Sequence, residues 1–406
     1  MKIRASIIKF IILLFMPFFL WHCSEDPLVD DLSNSNLSID TLVVSEIFGE
    51  NYMVAPNIGS NERLYLGTKH GIDAPLSFIR ILTPIPHSYD SSFVIDSLRF
   101  ILYTDDSSLS TNSIPNLFYF PDSQFDENNS TYLDYGDFSL SDWLDLGQPS
   151  VRSVTDTTDT SSSFTHTELV WNIDSLKQSL TDTLDSILVR SFAIQLANND
   201  SNYIEIFSEE ASQGQRDPKI LMYYRQNITS ADSTVIDTNF VTIYSNGDLS
   251  IIDPSNVEPS YNQLGLSNGL GLRSVLNISF NAGSLPENSI IRSGNLILNA
   301  DTSLTPAVYN IIIDPLNSDS SVVDSITIYD TDPYDAIGYP YRVSTDAENW
   351  VYTFQIKNIL QNISLGNETN IGFKLVANEK NDPFESAWFS IQSEPKPRLE
   401  IIYVAN

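Results

Sequence analysis

Apolar and polar residues alternate in short runs along most of the chain. Phe93-Val94-Ile95 leads into Leu98-Arg99-Phe100-Ile101-Leu102-Tyr103, Phe192-Ala193-Ile194-Gln195-Leu196 alternates, and 219–224 is rich in aliphatic and aromatic residues. A period of two puts every second side chain on one face of a pleated backbone, so these runs predict half-buried strands. Between them lie clusters of Asp, Ser, Asn, Thr, Gly and Pro, as in 105–116, 156–163 and 314–321, whose residues favour turns and left-handed conformations and predict loops. Helical patterning is confined to 173–184 and 356–365, each after an extended segment. The pattern predicts an all-β chain.

The second half repeats the first in the same order. Ile95-Asp96-Ser97-Leu98-Arg99-Phe100-Ile101-Leu102 matches Ile291-Arg292-Ser293-Gly294-Asn295-Leu296-Ile297-Leu298, and Trp171-Asn172-Ile173 matches Phe354-Gln355-Ile356. Further on, 192–199 matches 371–378, and Pro218-Lys219-Ile220-Leu221-Met222-Tyr223-Tyr224 matches Pro397-Arg398-Leu399-Glu400-Ile401-Ile402-Tyr403. A unit of ~180 residues is too long for a solenoid or propeller repeat and predicts two complete domains. The expected boundaries are 40–226 for a first β-sandwich, 227–238 for a linker and 239–406 for a second.

Each unit opens with a Gly-containing strand and an Arg-bearing strand: Leu64-Tyr65-Leu66-Gly67 then Phe78-Ile79-Arg80-Ile81, and Leu264-Gly265 then Gly271-Leu272-Arg273-Ser274-Val275-Leu276. The second unit continues with Leu285-Pro286, and the first closes with Phe207-Ser208-Glu209-Glu210-Ala211 before Pro218. In these features the repeat resembles the DNRLRE-type domain, grouped with carbohydrate-binding module family 96 and disaggregatase-related modules. The resemblance implies two tandem jelly-roll-like sandwiches of the kind used in extracellular proteins, often as accessory modules that bind polysaccharide. The first unit departs from the family by a long polar insertion over 105–167.

At the amino end, Lys2, Arg4 and Lys9 surround the start of an apolar run, 10–20, broken only by Pro17. That run is shorter than the ~20 residues a spanning helix needs. It ends at Leu20-Trp21-His22-Cys23, followed by Ser24-Glu25-Asp26, and Cys23 is the only cysteine. The segment resembles a bacterial lipoprotein signal, which implies a signal peptide over 1–22, acylation of Cys23, and membrane contact through that anchor. The following residues to 39 then serve as a flexible tether. The expected location is the cell envelope, as an outer-membrane lipoprotein; exposure at the cell surface is one alternative, and the sequence leaves open which leaflet carries the anchor.

Charge narrows the partners. With 52 acidic against 21 basic residues the formal charge is -31, which repels nucleic acid, because phosphate binding draws its affinity from Lys and Arg. His22 falls within the signal, and His70, His87 and His166 lie apart, without metal-ligand or triad spacing. No cofactor is required by the pattern; calcium is the cation to consider, with oxygen ligands at Asp330 and Asp332 or at Asp156 and Asp159. For a sugar, Trp143 and Trp350 are the expected exposed rings, whereas Trp171 falls on a core position. Arg80 and Arg273 recur at nearly equivalent places, as buried partners of carboxylates or as ligand contacts. Two functions fit: a non-catalytic envelope-anchored polysaccharide-binding protein, or a structural or adhesion lipoprotein that contacts other envelope proteins.

Overall fold

A computed structural model describes residues 37–83, 93–106, 109, 111–122, 124–136, 138–156, 164–179, 188–197, 202–211, 216–229, 234–254, 263–306, 308–317, 327–337, 342–346, 348–392 and 394–405. The signal segment, Cys23, His87 and Asp159 lie outside them.

The described residues form twenty-four strands and one α-helix, α1 (Lys357–Ser364). The first twelve strands are β1 (Ser38–Val44), β2 (Ile47–Val54), β3 (Arg63–Lys69), β4 (Ile72–Thr83), β5 (Phe93–Thr104), β6 (Pro115–Phe120), β7 (Leu144–Gly147), β8 (Ser150–Asp156), β9 (Phe164–Asn172), β10 (Leu188–Leu196), β11 (Tyr203–Phe207) and β12 (Lys219–Thr229). The second twelve are β13 (Thr234–Tyr244), β14 (Asp248–Asp253), β15 (Gln263–Leu266), β16 (Leu272–Ile278), β17 (Ile290–Asn299), β18 (Ile311–Pro315), β19 (Ile328–Tyr329), β20 (Arg342–Asp346), β21 (Val351–Gln355), β22 (Phe373–Ala377), β23 (Ala387–Ser390) and β24 (Arg398–Ala405).

Nearly every pairing in the first set recurs in the second with the strand number raised by twelve. The order β13-β12-β5-β9-β8 becomes β1-β24-β17-β21-β20. On the opposite layer, β10 lies between β4 and β6 as β22 lies between β16 and β18, and β11 pairs with β3 as β23 pairs with β15. These layers pack face to face as two all-β sandwiches. Leu98, Phe100, Trp171, Phe192, Ile194 and Ile220 meet in the first core. Leu296, Leu298, Phe354, Phe373, Leu375 and Leu399 meet in the second.

The same numbering exposes an exchange. β1 and β2 open the chain, yet β1 pairs with β24 and β2 with β16, so both complete the second sandwich. Their counterparts β13 and β14 pair with β12 and β4 and complete the first. The first sandwich therefore runs from β3 to β14, and the second combines β1 and β2 with β15 to β24. The expected boundaries at 40, 226 and 239 do not follow this division, and the expected linker lies within the β12–β13 hairpin.

Three other expectations change. Of the two expected helices, only α1 forms among the described residues; within 173–179 the chain makes a short 3-10 turn, Asp174–Leu176, and 180–184 lie outside them. The stretch 105–167 is not a polar insertion, since it contributes β6, β7, β8 and the start of β9. It also supplies Phe125 and Trp143 to a buried cluster. The two sandwiches meet in a further core of Met53, Tyr65, Ile72, Ile252, Leu272, Phe384 and Trp388. A Lys69–Asp382 ion pair of 2.8 Å lies beside it.

Candidate functional site

Buried serines fix the alignment of the two sandwiches. Ser77 donates to the Tyr65 carbonyl and sits opposite Ser250, while Ser274 donates to the Gly265 carbonyl and sits opposite Asn51. Ser77 and Ser274 are thus equivalent, which makes Arg80 the counterpart of Asn277 and Arg273 the counterpart of Leu76. The two arginines are four positions apart in the shared scaffold. Each nevertheless ties a loop to the outer face of its sheet.

Arg80 pairs with Glu127 at 3.4 Å and donates to the Asn246 carbonyl at 2.9 Å. Arg273 pairs with Asp332, which also receives Lys374 at 2.9 Å. Burial raises the Asp332 carboxyl, but the Arg273 and Lys374 charges outweigh it and hold the group below the usual carboxylate range. Asp332 is therefore an anchor for two cations rather than an open calcium ligand, and Asp330 beside it is exposed. Asp156 ends the edge strand β8.

The tryptophans fall differently from expectation. Trp143 is buried, packed against Phe78, Phe120 and Phe138 with centroids 5.3–5.9 Å away, and offers no free face to a sugar. Trp350 is half-buried, and its indole N–H donates to the Thr305 carbonyl at 3.1 Å. Trp171 is in the core, as expected from its alternating position matched by Phe354, and it lies opposite Phe100. Among the described residues, one group of carboxylates comes together: Glu127, Glu209 and Glu210 have ligand atoms within 4.8 Å of one another. Fully buried Asp248 accepts a hydrogen bond from the Glu209 N–H at 2.7 Å. Burial first, then the hydrogen bond and charge of Glu127, push Glu210 up to about 7. Burial and the Glu210 charge raise Asp248 well above the carboxylate range. Arg80 is the cation of this cluster.

An exposed aromatic surface appears instead on the outer face of β12, β13 and β5. Cross-strand pairing places Phe240 beside Tyr223 and Ser97, and the next row is Thr242, Leu221 and Arg99. The Tyr223 and Phe240 rings are 6.0 Å apart at 42°, and Phe240 is 65% exposed. The Arg99 guanidinium lies over Tyr223, 5.4 Å from its centroid. Among the described residues Arg99 is exposed and makes no ion pair.

The second sandwich provides an internal control. At the positions of Tyr223, Phe240, Arg99 and Leu221 it carries Ile402, Thr41, Asn295 and Glu400. The scaffold folds without the rings and the guanidinium, so the fold does not require them. Sequence reading missed this surface. The signal was present in the repeat, where Tyr223 stands opposite Ile402 and Arg99 opposite Asn295.

No family model matches the chain, and no curated protein does. Among solved structures, the carboxy-terminal domain of the Streptococcus pyogenes antigen I/II-family protein AspA is similar at 8% identity. It covers 88% of this chain and 90% of that one, with a TM-score of 0.16. The carboxy-terminal domain of the Streptococcus agalactiae AgI/II polypeptide BspA gives 9% identity, 88% and 91% coverage, and a TM-score of 0.16.

Proposed function

We propose that this protein is a non-catalytic, envelope-anchored lipoprotein that binds polysaccharide through the outer face of β5, β12 and β13. The observation that carries this reading is the Arg99–Tyr223–Phe240 surface, present on one of two otherwise matching faces. Pyranose rings lay their C–H faces on such aromatic groups, while a guanidinium and hydroxyls such as those of Ser97 and Thr242 bond to the ring oxygens. The Cys23 segment supports the anchoring half of the reading, and tethering at an envelope puts the body where glycans are presented.

The test is affinity electrophoresis of the full body against a panel of soluble cell-wall and plant polysaccharides. At least one gel is expected to retard the protein. Phe240→Ala and Arg99→Ala are each expected to weaken retardation about tenfold, or about 1.4 kcal/mol. Retardation that is absent for every polymer, with and without calcium, overturns the binding half. Labelled-palmitate incorporation that persists in Cys23→Ala overturns the anchoring half.

A rival reading rests on a separate observation. Ile39, Ile290 and Ile402 lie exposed on the outer face of the β1-β24-β17 sheet. An adhesion lipoprotein could use that apolar face against another envelope protein. Stoichiometric co-purification of one partner, lost in Ile290→Lys, would favour it.

A further inference from the structure

The second sandwich contains a cavity of about 440 Å³ on the outer face of β16, β18 and β22, walled by the β2–β3 connection at Pro56 and Asn57. Its floor has two rows. Ile312 and Val376 pair across the first, with Arg273 beside them, and Asp314 pairs with Lys374 across the second. The shared alignment shows how unusual this floor is. Ala193, Phe118 and Leu76 of the first sandwich stand where the second has Lys374, Asp314 and Arg273. In the first sandwich those apolar residues lie under the Phe125–Trp143 cluster. The scaffold therefore closes this face with hydrophobic side chains in one copy and leaves it charged and hollow in the other.

Asp314 is the group without a structural task. Lys374 stands directly across the ladder from it but turns to Asp332 and the Tyr334 carbonyl, at 2.9 and 3.0 Å. Asp314 Oδ1 is buried, with no hydrogen-bond partner among the described residues. Native structures seldom leave a buried acceptor unmet, and each exception calls for a reason. A ligand hydroxyl supplies one: it donates to the carboxylate, while the Ile312–Val376 strip takes the apolar face of a ring. The volume falls in the range of small-molecule sites.

We propose that this cavity is a second binding site that takes a single neutral sugar residue or a chain end, with Asp314 accepting from a ring hydroxyl. The saccharide class rests on the polysaccharide-binding reading, but the site is separate from the Arg99–Tyr223–Phe240 surface. It would hold a terminus, where that surface holds the body of a chain.

Saturation-transfer NMR on the full body, with methyl glycosides of glucose, galactose, mannose, xylose and N-acetylglucosamine as probes, tests it. At least one probe is expected to show transfer. Made in a Phe240→Ala background, so that the outer-face surface contributes no transfer, Asp314→Ala and the cavity-filling Ile312→Trp should weaken it tenfold or more. Asp314→Ala should also keep or raise the melting temperature, since a structural carboxylate would lower it on removal. The proposal is overturned if no probe binds, if only Phe240→Ala abolishes transfer, or if Asp314→Ala lowers the melting temperature with binding intact. It is likewise overturned if calcium chloride, and no sugar, shifts the resonances lining the cavity. In any of these outcomes, continued polymer retardation leaves the first reading standing; loss of both removes the two together.

Discussion

Glu210 lies where the turn after β11, the Glu127 loop and the buried Asp248 converge, and its protonation state is coupled to folding. Its carboxyl moves from the usual 4.5 up to about 7 because burial, with the Glu127 charge, disfavours the ionised form. Below pH 4.5 the group is neutral in both folded and unfolded chains, and its contribution to stability is complete. Between 4.5 and about 7 the unfolded chain ionises first, so the contribution is lost as pH rises. Stability is therefore expected to fall across that window, and Glu210→Gln to flatten the slope and gain about 1 kcal/mol at pH 8, the group being half-exposed. Urea denaturation at pH 5 and pH 8 measures both. At this scale the sequence disclosed residue types better than surroundings. Trp143 shares its stretch with Asp, Ser and Gly, and its partners Phe78, Phe120 and Phe138 follow no single period, so a buried cluster reads as a loop. The arginines misled differently: each follows or precedes a buried serine by a different number of residues, and only cross-strand pairing shows the offset.

Strands were legible because their alternation is strict, but alternation leaves register open in steps of two. The match of 192–199 with 371–378 shows this. Pairing to β4 and β16 aligns Ile194 with Leu375, two positions from the sequence match, and both alignments put the same faces inward. Long-range exchange was hidden altogether, since nothing in β1 or β2 names a partner more than 200 residues away. That exchange makes an element-scale prediction. Leu42 and Val44 of β1 pack against the second core, and Tyr52 and Val54 of β2 lie in a cluster with Val275 and Leu316. Deleting 37–54 exposes the edges of β24 and β16 and those apolar surfaces to solvent. A chain beginning at residue 55 is expected to lose the ordered second sandwich and aggregate. The fragment 61–254, which keeps β3 to β14, is expected to fold alone. Circular dichroism and size-exclusion chromatography on the two chains decide this; a monomeric, cooperatively melting 55–406 chain contradicts it.

For the whole molecule, the exchange and the shared Met53–Tyr65–Leu272–Phe384 core are expected to couple the stabilities of the two sandwiches, the first folding alone but melting lower than in the full chain. When the second opens, β1 and β2 lose their partners, and the β2–β3 connection that leads into the first sandwich loses one of its walls. Gly271 sits at this hinge of contacts. Its φ of +60° suits glycine, its carbonyl accepts from the Val54 N–H at 2.9 Å, and a Cβ there would overlap the Val54 carbonyl oxygen. Gly271→Val should therefore push β2 away and cost several kcal/mol, on the order of 3, for strain and a broken contact. If the molecule is one cooperative unit, the whole transition moves down together, including the signal of Trp143 and Trp171 in the first sandwich, far along the chain from the substitution. Calorimetry should show one peak with equal van't Hoff and calorimetric enthalpies. Two separated peaks, with the first-sandwich tryptophans melting at the unchanged temperature, would show that the exchanged strands join the sandwiches without coupling their stability.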